Sequence, residues 1–197
     1  AHGIDERPPI PAREPQKTFG HQETFGSDLT DEEYVEATLR QMADSLFAKV
    51  REDGHSVRTL TVKVRYNVMA EDQLSETLFE PTDLETDVYG RLHEMLRRAW
   101  KRRVSLRLVS LKLSNVYDGR FRSELPLEVS AQRQDACSRL ATVIDELRKA
   151  RGQSVILRGH DFLLRNGPRE LLADADAKRA RTKSQLQIIS QPKATDY

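Results

Sequence analysis

Arg58-Thr-Leu-Thr-Val-Lys-Val-Arg-Tyr66 lies within residues 57–69, where apolar and polar side chains alternate. Leu60, Val62, Val64 and Tyr66 fall on one side of an extended chain, and Thr59, Thr61, Lys63 and Arg65 on the other. Successive strand side chains point to opposite faces, so the pattern makes one face apolar and leaves the other hydroxylic and cationic. Such a strand belongs to an antiparallel sheet with one face on a core and the other wet.

The segments around it complete the sheet. Upstream, Lys17 to Phe25 reads as a strand, with Gly20 a bulge or close-approach point. Thr30 as N-cap and Glu33 three residues later form a capping box. Val35, Leu39, Met42, Leu46 and Val50 then recur at helical spacing, predicting a helix over about residues 31–52, closed by Gly54. Downstream, residues 70–72 turn the chain and Gln73 to Phe79 forms a third strand. Thr82 and Glu85 make a second capping box before a helix marked by Val88, Leu92, Met95, Leu96 and Ala99. Residues 104–116 form a last strand carrying Leu106, Leu108, Leu111 and Leu113, whose phase slips near Val109–Ser110 as a bulge would make it. The order β-α-β-β-α-β predicts an α+β fold, a four-stranded antiparallel sheet with two helices on one face. The opposite face is left bare, polar and partly basic.

The flanks divide the chain further. Residues 1–16 carry Pro8, Pro9, Pro11 and Pro15 and read as an extended linker. The domain proper is expected over 17–117. An extension over 118–165 holds one helix, Gln132 to Arg151 (Ala136, Leu140, Val143, Ile144, Leu147), closed by Gly152, with a short strand at 155–157. Residues 166–197 are polar and read as a flexible tail. At 38% hydrophobic and 32% charged, the chain predicts a modest core under a charged exterior. The net charge of +1 selects no partner, so the distribution of charge has to. Cys137 is the single cysteine and cannot form an internal disulfide, which fits a reducing, cytoplasmic setting. No apolar run approaches the roughly 18 residues of a membrane span. A chain opening on Ala1 is expected to be part of something longer.

Four segments then carry a resemblance. Lys-Thr-Phe-Gly-His-Gln-Glu-Thr-Phe at 17–25, Arg-Thr-Leu-Thr-Val-Lys-Val-Arg-Tyr at 58–66, Leu-Phe-Glu-Pro-Thr-Asp at 78–83 and Leu-Val-Ser-Leu-Lys-Leu-Ser-Asn-Val at 108–116 occur in order. Together they resemble the little-finger domain of bacterial Y-family DNA polymerases of the DNA polymerase IV type, and residues 131–159 resemble an extension found in some members. The resemblance implies a domain that holds the primer–template duplex by its phosphates during translesion synthesis, DNA repair and the SOS response. It implies a monomer whose partners are double-stranded DNA and the sliding clamp. The family's catalytic carboxylates and magnesium belong to a palm domain N-terminal to these segments, so no cofactor and no catalytic residue are expected in this segment, and it should not act as a nucleotidyltransferase alone.

Hydroxyls and cations in such a pattern suit phosphates, which position a duplex without reading its bases. The expected DNA contacts are Thr59, Thr61, Lys63 and Arg65, with Lys17, Thr18, His21 and Thr24 from the first strand. Ser75 and Thr77, and Arg107, Lys112 and Ser114, extend them across the third and fourth strands. If about four phosphates are neutralised, log affinity should fall with log salt at a slope of about −3.6. The same alternation would suit any solvated strand. A catalytically inert accessory homologue acting through protein contacts also remains open. A ferredoxin-like RNA binder would want exposed aromatics on the bare face, and Tyr66 has the apolar phase.

Other clusters read more plainly. Arg97, Arg98, Lys101, Arg102 and Arg103 end a helix, where cations offset its dipole or flank a phosphate. Asp83, Glu85 and Asp87 open that helix and read as caps. The five histidines lack ligand spacing. Trp100 and Phe47 read as packing residues. Gln185, Leu186, Ile188 and Ile189 resemble the peptide by which bacterial polymerases dock on the clamp, with Ile189 in place of the usual aromatic. Leu125-Pro126-Leu127 is a second candidate, with Glu124 where glutamine is expected.

Overall fold

The computed structural model describes residues 16–101, 104–119 and 129–168. Strand β1 (Thr18–Leu29) leads into helix α1 (Glu32–Glu52), then β2 (His55–Tyr66) and β3 (Glu71–Thr82). Helix α2 (Tyr89–Ala99) and β4 (Leu106–Asp118) follow, then α3 (Val129–Arg151) and α4 (Gly159–Asn166). The four strands form one antiparallel sheet in the order β1-β4-β2-β3. This is the predicted β-α-β-β-α-β order, with α1 and α2 on one face.

The core lies between that face and the two helices. Leu60, Val62, Val64 and Tyr66 of β2 and Val109, Leu111 and Leu113 of β4 meet Val35, Leu39, Met42, Leu46, Phe47 and Val50 of α1 and Leu92, Met95 and Leu96 of α2. Non-polar burial of this kind drives the collapse, and β2 supplies it because its apolar phase is unbroken. Trp100 packs partly on the core and donates its Nε1–H to the Val104 carbonyl at 2.9 Å, a packing role as expected.

Several local expectations are corrected. Asp31, not Thr30, caps α1: its carboxylate accepts from the Tyr34 N–H at 3.2 Å. Gly54 does follow the helix end with φ 72°, the left-handed value that favours glycine. Thr82 does not cap α2: its hydroxyl accepts from the Leu84 N–H at 3.1 Å and donates to Asp87 Oδ2 at 2.7 Å, just ahead of a single 3-10 turn at Glu85–Asp87. The bulge in β4 falls at Arg107, between the Arg65–Leu108 and Tyr66–Leu106 pairs, rather than near Val109. Residues 153–155 form a 3-10 turn and no strand is found at 155–157.

The extension departs most from expectation. It holds a second helix, α4, and α3 turns its predicted apolar stripe outward: Leu140, Val143 and Leu147 are exposed, while Ser138 and Ala141 are buried. Charge ties the extension to α1 instead. Arg51 Nη1 donates to Glu85 Oε2 at 2.5 Å and to the Asp83 carbonyl at 2.7 Å, and Arg51 Nε donates to Asp145 Oδ2 of α3 at 2.6 Å. Asp44 of α1 accepts from Arg158 Nη1 at 2.9 Å and from the Tyr89 hydroxyl, and meets His160 Nε2 at 3.2 Å. Arg158 also bonds Glu85 Oε1 and lies over the Tyr89 ring. Burial alone would raise the Asp44 carboxyl. The contacts with His160 and Tyr89 and the Arg158 charge outweigh it and hold Asp44 below its ordinary value. Tyr89 is pushed up, chiefly by burial and then by the Asp44 charge. Glu85 is thus a buried ion-pair partner and not a helix cap.

Candidate nucleic-acid interface

Register arranges the bare face of the sheet as four rows. Reading β1, β4, β2, β3, they are Thr18–Ser114–Thr59–Thr77, Gly20–Lys112–Thr61–Ser75, Gln22–Ser110–Lys63–Gln73 and Thr24–Leu108–Arg65–Glu71. All these residues are exposed or half-buried except Leu108. Eight of the sixteen carry hydroxyls, three are cations, one is an anion and none is aromatic. No residue of the four rows offers a stacking platform for bases, while Phe79, two residues past Thr77 in β3, is 87% exposed.

The hydroxyls are held in place across the strands. Thr59 Oγ1 and Thr77 Oγ1 share a hydrogen bond of 3.1 Å, and Thr61 Oγ1 and Ser75 Oγ share one of 2.9 Å. Asn115 Nδ2 donates to Thr59 Oγ1 at 2.8 Å. A bonded pair of hydroxyls uses one of its two protons, so each pair keeps one to donate outward. Ser110 Oγ donates to the His21 carbonyl at 3.1 Å. The cations are less evenly free. Arg65 Nη2 lies 2.5 Å and Lys63 Nζ 3.5 Å from the Glu71 carboxylate. The Arg65 hydrogen bond, more than any other contact, holds that carboxyl below its ordinary value. Lys112 is exposed and has no ion-pair partner among the described residues.

Ten of the thirteen predicted contact residues share this face: Thr18, Thr24, Thr59, Thr61, Lys63, Arg65, Ser75, Thr77, Lys112 and Ser114. His21 does not. It pairs with Leu111, whose side chain is in the core, so His21 belongs to the helix-side pleat of an edge strand. Arg107 sits on the bulge and reaches Asp28 Oδ1 at 3.4 Å, at the margin of the rows. Lys17 precedes β1, exposed and already engaged in an interaction. Gly20 is neither a bulge nor a tight approach: an added Cβ would meet only the Leu111 carbonyl, at 3.9 Å. Glu71, Gln22, Gln73 and Ser110 went unpredicted, although each keeps the phase of its predicted neighbours. The peptides at 185–189 and 125–127, and Arg102 and Arg103, lie outside the described residues.

Elsewhere, Arg97 and Arg98 end α2 within 3.8 Å of Glu32 and 3.7 Å of Glu76, which fits dipole compensation. No described helix is long and apolar enough to cross a membrane. No group of three or more His, Cys, Asp or Glu among the described residues could hold a metal.

Comparison with known proteins adds a family. A profile of the impB/mucB/samB family C-terminal domain matches residues 16–134. DNA polymerase IV of Opitutus terrae is 39% identical over 169 residues, covering 86% of this chain and 42% of that protein. DNA polymerase IV of Moorella thermoacetica is 30% identical over 159 residues, covering 80% of this chain and 39% of that protein. The chain therefore spans about two fifths of the length of these relatives. A solved structure described as an insertion ternary complex of Dbh DNA polymerase superposes with a TM-score of 0.47 at 16% identity, covering 52% of this chain and 29% of that one. At that score it adds nothing to the fold described above.

Proposed function

We propose, from the premise that the chain belongs to the impB/mucB/samB family through its C-terminal domain, the Y-family little finger, that its bare sheet face holds duplex DNA by the phosphates. The observation that carries this reading is the four-row array of hydroxyls and cations with no aromatic among them.

Dimensions support it. Four strands at about 4.8 Å spacing make a face about 14 Å across before side chains are counted. The major groove, about 12 Å wide, admits a helix or a two-stranded ribbon. A four-stranded face is too broad to enter, so it would lie across the groove and meet the backbones on either side. Lys63, Arg65 and Lys112 would neutralise phosphates there, and Thr59, Thr61, Ser75, Thr77, Thr18, Thr24 and Ser114 would donate hydrogen bonds. Such contacts fix register and carry little base information, which suits synthesis past a lesion in any sequence.

For the whole protein we infer a DNA polymerase IV-type translesion enzyme acting in DNA repair, on the strength of the relatives' names. Magnesium would serve nucleotidyl transfer at carboxylates of a palm domain N-terminal to these strands. Clamp docking through Gln185, Leu186, Ile188 and Ile189 is a second proposed contact. Binding of a peptide of residues 180–197 to a bacterial clamp, lost on Leu186→Ala and Ile188→Ala, tests it, and equal binding by all versions removes it.

The duplex reading is tested by anisotropy with a labelled primer–template across a salt series. Three neutralised phosphates predict a log–log slope of about −2.7, and about −3.6 if Arg107 joins. Lys112→Ala should weaken binding and flatten the slope by about 0.9. Lys63→Ala with Arg65→Ala should weaken it further with circular dichroism unchanged. A salt-independent affinity would refute the reading.

A further inference from the structure

We propose that Glu71 is an internal phosphate mimic, holding Lys63 and Arg65 until a DNA phosphate displaces it and thereby limiting the affinity of the face; this rests on the duplex-holding reading above. Three observations carry it. Glu71 is the one anion in the four rows, and it stands directly across from Arg65 in the β2–β3 register. Its Oε1 accepts from Arg65 Nε at 2.6 Å while its Oε2 lies 3.5 Å from Lys63 Nζ, so one carboxylate occupies two of the three cations. Arg65 and Glu71 are also exposed enough to exchange partners, with side chains 34% and 38% accessible.

A carboxylate and a phosphate offer a guanidinium the same planar pair of acceptor oxygens. A contact that satisfies Arg65 in the free protein must therefore be given up, or shared, when a phosphate arrives. The contact costs binding twice: the cations are partly neutralised beforehand, and the anion remains near the incoming phosphate. It also keeps Arg65 extended over the sheet. The consequence is a grip that is weak enough to release the duplex and that tightens steeply if the carboxylate is lost.

The test uses the 1–197 chain and a labelled primer–template duplex at low and moderate salt. Glu71→Gln, which keeps the size and a hydrogen-bond acceptor for Arg65, should tighten binding roughly three- to tenfold at low salt, as a unit charge ~6 Å from a phosphate gives at an effective dielectric of roughly 40–80. The salt slope should stay at about −2.7, because the same three cations neutralise phosphates once the carboxylate is displaced. Glu71→Thr, a good strand former, should change affinity in the same direction. In an Arg65→Ala background the gain from Glu71→Gln should shrink. Glu94→Gln, on the exposed side of α2, is the control for net charge and should stay within about twofold. A Glu71→Gln affinity equal to or below that of the unsubstituted chain overturns the proposal, as does an equal gain from Glu94→Gln. If the unsubstituted chain binds and Lys112→Ala weakens it while Glu71→Gln does not tighten it, the role of Glu71 alone is lost. If the unsubstituted chain shows no salt-sensitive duplex binding, the duplex-holding reading falls and this proposal with it.

Discussion

Arg51→Leu should cost more stability than its distance from the sheet face suggests. Arg51 is 4% exposed and Glu85 is 1% exposed, so both charges sit outside water's reach. Removing one partner of a buried pair costs about 3–5 kcal/mol, because the other charge is left without compensation. Glu85 keeps Arg158 as a second partner, which places the cost near the low end, at about 3 kcal/mol. The Asp83 carbonyl also loses a donor at 2.7 Å. Asp145, 24% exposed, can turn to water, so Asp145→Asn should cost only about 1 kcal/mol. Urea denaturation of the two single variants and the double variant measures all three values. For a chain of this length Arg51→Leu should lower the melting temperature by roughly 6–12 °C. An Arg51→Leu cost under about 0.5 kcal/mol, or one no larger than that of Asp145→Asn, would refute the claim that the buried pair of Arg51 with Glu85 stabilises the fold.

The other expectations concern single groups. Asp44 has a folded-state carboxyl held below its unfolded value of about 3.9, so its ionised form contributes stability that is complete above that value and lost as pH falls through the folded one. Asp44→Asn should therefore flatten the fall in urea midpoint below about pH 4, and an unchanged fall would show that other groups cause it. Tyr66→Phe removes a hydroxyl that donates to Asp72 Oδ2 at 2.9 Å and should cost about 1 kcal/mol in denaturation while leaving duplex affinity unchanged, since Tyr66 faces the helices. Gly54→Ala forces a Cβ into φ 72° with nothing within 4 Å of it, so a loss of about 1 kcal/mol is expected from backbone strain alone, and a neutral result would mean the turn relaxes.

How far the sequence disclosed this molecule depended on the range of the interaction. The alternation of β2 was legible because every second residue repeats one choice, and it located the core and the bare face together. Strict alternation would also have excluded His21, which breaks phase with Thr18 and Thr24 on either side of it. Glu71 was missed because the third strand was started two residues late; continuing the phase of Gln73, Ser75 and Thr77 backwards finds it. Glu85 was a different failure. Thr-x-x-Glu before an apolar run is the same string whether the glutamate caps a helix or is buried against Arg51 and Arg158. Those partners lie 34 and 73 residues away. α4 left little periodic signal because Phe162 and Leu163 stay exposed and the helix is held through Arg158 and His160.

The two faces divide the work in a way that can be separated by experiment. The Arg51, Asp44 and Glu85 contacts on the helix side are buried, and they tie α1 to the 3-10 turn and to α3 and α4. Hydroxyls and cations on the bare side are wet, and stability depends little on them. β2 belongs to both, because Val62 and Val64 anchor it in the core while Thr61, Lys63 and Arg65 project the other way. Rigid anchoring on one side is what holds the rows on the other in register, through the Thr59–Thr77 and Thr61–Ser75 bonds. It follows that substitutions in the Arg51 and Asp44 network should change how much of the protein is folded and not the affinity of the folded fraction. Substitutions at Lys63, Arg65 or Lys112 should do the reverse. A single change that moved both quantities together would mean that the sheet transmits strain between its faces, and the rows could then no longer be treated as a fixed platform.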